Sequence, residues 1–211
     1  MTREEQRRVR ELKKPFAQSC RSIGKARGWK SVSGWQYQVR GDVVYQLYLY
    51  LPPSGGGKKA AAQLSCKPLV LDDLFWEISH MTQTARSMPF SFHITGAFTP
   101  YPLQIARWDV TLEEDLEASV EHLLEEAERQ VELHLYPDIP SFRAVLTDVP
   151  GQTLNIILCL LAEKRYEEAA AAIGQAQARH ENGGFARTTE NGLVDILEDA
   201  RGWCAGKLEN L

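Results

Sequence analysis

No apolar run in this chain approaches the roughly 20 residues a helix needs to cross a bilayer. The strongest candidate, Leu154 to Ala162, is nine residues long and contains Asn155. The opening Met-Thr-Arg-Glu-Glu-Gln-Arg-Arg has no apolar core behind its charges, so a secretory signal is not expected. Glu4, Glu5 and Glu11 argue in the same way against a transit peptide, which is poor in acids. Cysteine is sparse: Cys20, Cys66, Cys159 and Cys204 stand far apart, and no two form a Cys-x-x-Cys pair. That spacing is poor for zinc. The expectation is a soluble, cytoplasmic protein with reduced thiols, no metal and no cofactor.

Motifs that carry chemistry are missing too. Gly55-Gly56-Gly57-Lys58-Lys59 fails as a phosphate-binding loop, because Pro52 stands where the first glycine belongs and Lys59 where a hydroxyl must reach magnesium. No Gly-x-Ser-x-Gly elbow occurs. The histidines, at 80, 93, 122, 134 and 180, include no i, i+4 pair, and His122 with Glu126 reads as a solvated helix face. Cys66, His80, His93 and Asp109 could meet only through the fold, and nothing local activates the thiol. Arg40-Gly41-Asp42 matches the adhesion tripeptide, but between two strands turn geometry explains it. The chain therefore reads as a binding protein more than as an enzyme.

What is present is an ordinary globular composition, 44% hydrophobic and 25% charged, on 211 residues. The net charge of -4 hides an asymmetry. Residues 1–30 hold ten Lys or Arg against three acids, and residues 111–211 hold eight against twenty. A nucleic-acid binder usually shows a basic surplus throughout, so neither nucleic acid nor a membrane is the expected partner.

Thr2 and Glu5 have the spacing of a capping box, and Val9, Leu12 and Phe16 fall on one helical face behind them. Pro15 is expected to break or kink that helix. From Trp29 the period becomes two. Trp35, Tyr37 and Val39 alternate with Gln36 and Gln38, and Tyr45, Leu47, Leu49 and Leu51 follow across a turn at 40–42. The glycines at 55–57 form a flexible loop, and 60–66 make a third strand. Asp72 or Asp73 caps a short helix, 90–94 alternate as a strand, and 103–110 form another. Consecutive strands without crossovers imply an antiparallel sheet.

The clearest element starts at Thr111, where Thr111 and Glu114 repeat the capping-box spacing. Leu112, Leu116, Val120, Leu123, Ala127, Val131 and Leu135 form an apolar stripe, predicting a long helix over 111–136. After Gly151 the pattern is wholly helical. Residues 160–169 resemble the turn of a tetratricopeptide helical hairpin. The expected fold is α+β: an antiparallel sheet on a long amphipathic helix (1–150), with a C-terminal helical subdomain (151–211) packed on it.

The order of helix, hairpin sheet, long helix and helical tail resembles that of small uncharacterised bacterial α+β proteins encoded beside toxin genes. That resemblance implies an immunity-type inhibitor. The long helix carries the matching chemistry: nine acids and one base, Arg129, lie between Glu113 and Glu132. Glu114, Glu121, Glu125 and Glu132 share one face, away from the apolar stripe. Like charges one turn apart cost a few tenths of a kcal/mol each, so a helix built for stability alone would interleave lysines. A docking face for a basic protein partner accounts for the row, and a face kept acidic for solubility is the competing account. Two other readings stand beside it. One is a small-molecule-binding or hydrolytic protein with a pocket between sheet and helices, lined by Trp35, Tyr37, Tyr45 and Trp76. The other is a structural subunit acting through its helical tail. Neither the partner nor the oligomeric state is legible.

Overall fold

In the computed structural model the described residues are 1–96, 98–112, 115–190 and 192–210. They form an α+β fold with two compact units, 1–67 with 102–135 and 68–101 with 136–211.

The N-terminal unit begins with α1 (Arg3–Ala26), and the capping box is present. The Thr2 amide donates to Glu5 Oε2 (2.6 Å), and the Glu5 amide donates to Thr2 Oγ1 (3.2 Å). The break expected at Pro15 does not occur, and the helix runs through it. An interior proline costs about 3 kcal/mol, which burial of Phe16, Cys20 and Gly24 beyond it offsets.

Five strands follow: β1 (Lys30–Val32), β2 (Trp35–Arg40), β3 (Val43–Tyr50), β4 (Lys59–Pro68) and β5 (Leu103–Thr111). They form one antiparallel sheet in the order β1-β2-β3-β4-β5. The turn after Arg40 contains only Gly41 and Asp42, with φ +57° at Gly41, and it pairs Arg40 with Val43. That register sets Gln36 opposite Leu47 and Gln38 opposite Tyr45. The faces of β2 are consequently inverted from an apolar-inward reading: Gln36 and Gln38 are buried, while Val39 is exposed. A side-chain period of two explains this. β3 carries the stronger apolar set on the helix side, and its partners on β2 must follow it. Gln36 meets the demand by donating its Nε2 to the Cys20 carbonyl on α1 (2.7 Å).

The loop between β3 and β4 is less free than its glycines promise. Gly56 (φ +55°) and Gly57 (φ +75°) are buried, and a Cβ on either would meet Glu5 or Arg8 of α1 at 3.0 Å or less.

The long helix α5 (Leu116–Leu133) has 18 residues, about 27 Å. It is shorter than the sequence pattern predicts and starts later. Thr111 pairs with Lys59 as the last residue of β5, and the Leu112 amide donates to the Lys58 carbonyl (2.9 Å), so extended backbone occupies the expected cap. Asp115 caps instead, its Oδ1 accepting from the Glu117 amide (2.9 Å) and the Ala118 amide (3.4 Å). Glu114 lies outside the described residues. Val120, Leu123, Ala127 and Val131 are buried as the stripe requires, with Leu124 buried beside them. Leu112 and Leu116 are half-buried, and Leu135, expected on the stripe, is exposed because the helix ends at Leu133. At the other end the Tyr45 hydroxyl donates to the His134 carbonyl (2.8 Å), satisfying a helix-end acceptor.

The C-terminal unit contains α2 (Leu69–Ile78), α3 (Thr82–Ser87), α4 (Phe92–Thr95), α6 (Ile139–Leu146), α7 (Thr153–Ala162), α8 (Tyr166–Ala178) and α9 (Ile196–Leu208). α7 and α8 form the expected helical hairpin, with Lys164 at φ +60° in its turn. Three expectations fail here. Neither Asp72 nor Asp73 caps α2, which starts at Leu69 after Pro68. The alternating segment 90–94 is the short helix α4 and the turn before it, with Phe90 exposed. The tail is not wholly helical, because β6 (Ala186–Thr189) and β7 (Gly192–Asp195) form a two-stranded sheet.

Glu163, in the α7–α8 turn, accepts from Arg143 Nε (2.6 Å) and from Arg165 Nη1 (3.0 Å), with its side chain 9% exposed. Burial alone would raise its pKa, but the two guanidiniums outweigh burial and hold the carboxyl below its ordinary 4.5. A depressed folded pKa gives stability that is present above the unfolded value and lost as pH falls through the folded one. Glu163→Gln is expected to cost the unit about 1 kcal/mol at pH 7. The gap between variant and wild type should close below pH 4.5 in urea titrations at matched pH. A gap equally wide at pH 3 would show that the charge on Glu163 contributes nothing.

Candidate functional site

The outward face of α5 presents three of the four predicted site residues. Glu121, Glu125 and Glu132 are exposed, opposite the buried stripe. The acids of α5 nevertheless fall into two groups. Arg27, just beyond α1, donates Nε and Nη2 to Glu128 (2.9 and 2.7 Å) and lies 3.7 Å from Glu125. The hydrogen bond to Glu128, with the fields of Glu128, Glu125 and Glu121, raises the Arg27 pKa. Glu126 accepts from Arg129 (2.8 and 2.6 Å) and Gln130 (2.7 Å), and these bonds lower its pKa. It is therefore committed within its own helix and is not paired with His122 as a ligand. Glu117, Glu121 and Glu132 form no ion pair among the described residues. The pairing of Arg27 with acids about 100 positions away was not readable from local sequence.

A second feature of the N-terminal unit is a groove of about 750 Å³. One wall is a stripe of α1, with Val9, Lys13, Phe16, Ala17, Cys20 and Arg21 at helical spacing. The other consists of the β1–β2 turn, the start of β2 and the end of β3. Here Trp35, Tyr48 and Tyr50 form a row of rings, with centroids 4.9 Å apart for the first pair and 5.2 Å for the second. Tyr50 Oη accepts from Arg107 Nη2 on β5 (2.9 Å). Of the residues proposed from sequence to line a pocket, Trp35 does so. Tyr45 is fully buried, and Trp76 lies in the other unit, stacked on Phe92 at 5.5 Å.

In the C-terminal unit His93 Nδ1 lies 2.6 Å from Asp72 Oδ2, with the Asp72 side chain fully buried. Trp76 and Phe90 flank the imidazole at 4.8 and 4.9 Å. Burial raises the pKa of neighbouring Asp73, against the pull of His93. A buried carboxylate that orients a histidine is a catalytic arrangement only with a nucleophile or substrate pocket beside it. The four cysteines are buried and free. Burial pushes Cys20 and Cys159 up to about 12 and also raises Cys66 and Cys204, the reverse of an activated nucleophile. Among the described residues no three His, Cys, Asp or Glu side chains gather as metal ligands, and no helix is long and apolar enough to cross a membrane. No protein-family model, curated protein or solved structure matches this chain.

Proposed function

We propose that the protein is a non-catalytic interaction module that docks a basic protein partner on the outward face of α5. An immunity-type inhibitor held against a basic toxin or nuclease is the form of that role its layout favours. The observation that carries the reading is the division among the acids of α5. Glu125, Glu126 and Glu128 have cations of the same unit beside them, whereas Glu117, Glu121 and Glu132 are exposed without an ion pair among the described residues. Like charges left together on one helix cost a little stability and speed encounter with a surface of opposite sign.

Glu121→Lys with Glu132→Lys tests it. Unfolding should shift by less than about 0.5 kcal/mol, since both side chains are exposed. Baits of wild type and variant would be compared in extracts of the native cell. The expected outcome is a protein of high isoelectric point retained by wild type and lost by the variant. Its association with purified wild type should be about tenfold faster than with the variant at low salt, the difference shrinking as salt rises. Identical retention by the two baits would overturn the reading.

A further inference from the structure

The groove of the N-terminal unit has no part in docking on α5, and its chemistry points to a different kind of partner. Its volume, about 750 Å³, falls in the range of small-molecule sites and is far from the flat surfaces used between proteins. Phe16, Leu49 and Cys20 at its base are buried and apolar. The Trp35–Tyr48–Tyr50 row offers ring faces along one side. Among the described residues only two charged side chains line it, Lys13 and Arg21, and both are positive. They stand two turns apart on α1, about 12 Å along the helix axis. Both are exposed, and neither forms an ion pair among the described residues.

We propose that this groove binds an amphiphilic organic anion: an aromatic or aliphatic body lying against Phe16, Leu49 and the Trp35–Tyr48 rings, with a carboxylate, sulfonate or phosphate set in the positive field of Lys13 and Arg21. Each half of the assignment rests on a separate observation. The apolar base and the rings favour the body, and a mouth with two cations and no acid selects the sign of the head. A neutral ligand would leave both cations without a role, and a polyanion without a body would leave the rings without one.

Two dyes of nearly the same shape separate these terms: 8-anilinonaphthalene-1-sulfonate, which is anionic, and N-phenyl-1-naphthylamine, which is neutral. The wild-type protein should bind the anionic dye saturably at one site and about tenfold more tightly than the neutral one. That factor corresponds to about 1.4 kcal/mol, the size expected of weak contacts with two exposed cations. In Lys13→Gln with Arg21→Gln the preference should vanish while the neutral dye binds as before. Ala17→Trp, at an exposed α1 position on the groove wall, should narrow the groove and weaken binding of both dyes. Octanoate should displace the anionic dye, and octanol should do so much less well. Circular dichroism melting checks that each variant is folded, and if Ala17→Trp fails to fold, the lysine–arginine variant still decides. Equal affinity for the two dyes in wild type, or anionic-dye binding undiminished in the lysine–arginine variant, would overturn the proposal.

Discussion

Leu123→Ala is expected to destabilise the N-terminal unit by about 2–5 kcal/mol, the usual cost of removing a buried leucine side chain and leaving a cavity. Leu123 is fully buried at the middle of α5, with Val120 and Ala127 fully buried on the same stripe and Leu124 fully buried beside it. The surrounding backbone has little freedom to collapse into the space. α5 lies against α1 on one side and β5 on another, and its two ends are fixed by the Asp115 cap and the Tyr45 hydrogen bond to His134. Leu133→Ala is the matched control, because it removes the same atoms from the same helix at a site 63% exposed. It should cost under about 0.5 kcal/mol. Urea titration of both variants, followed by far-ultraviolet circular dichroism, reads the difference. Similar costs at the two positions would mean that α5 presents a different face to the sheet.

That contrast was legible in the sequence, because a stripe of period 3.6 repeated over five turns leaves one solution. The β2–β3 hairpin was legible for a similar reason: period two on both sides of a tight Gly-Asp turn. Other features depended on partners that local pattern does not reveal. The face β2 turns inward was decided by Leu47 and Tyr45 across the ladder and by a carbonyl on α1 waiting for Gln36. Alternation at 90–94 does not make a strand, because Phe92 stacks on Trp76 and Phe90 lies tilted against His93 rather than lining a sheet, and short apolar runs do not distinguish strand from helix. The start of α5 moved because Thr111 had a strand partner in Lys59, and a cap signal loses to a ladder that extends through it. Acidic crowding on α5 is visible in the sequence as a pattern, whereas its partial neutralisation by Arg27 depends on the fold. The groove left only a faint trace, Lys13 and Arg21 on the same side of α1 as Val9 and Phe16, which acquires meaning once Trp35 and Tyr48 stand opposite.

Gly24→Ala should lower stability by about 1–2 kcal/mol, although glycine to alanine inside a helix ordinarily gains about 1 kcal/mol. Gly24 occupies the last turn of α1, where a Cβ would stand 1.9 Å from Gln36 Oε1 and 2.7 Å from Gln36 Cδ. The amide cannot simply swing away. Gln36 is 3% exposed, and its Nε2 is tied to the Cys20 carbonyl. Making room for the methyl group means breaking that bond inside the unit and leaving buried polar atoms without partners, a cost of about 1–3 kcal/mol beyond the helical gain. The clash and the propensity act through different residues, so a double-mutant cycle separates them. In a Gln36→Ala background the obstruction is gone, and Gly24→Ala should become neutral or stabilising. The coupling between the two substitutions should therefore reach about 2 kcal/mol or more. If Gly24→Ala stabilises the wild-type protein, or costs the same in both backgrounds, then α1 does not rest on Gln36 at this point. The register with β3 and the Nε2 bond to the Cys20 carbonyl would then be enough to hold Gln36 on the buried face without help from the glycine.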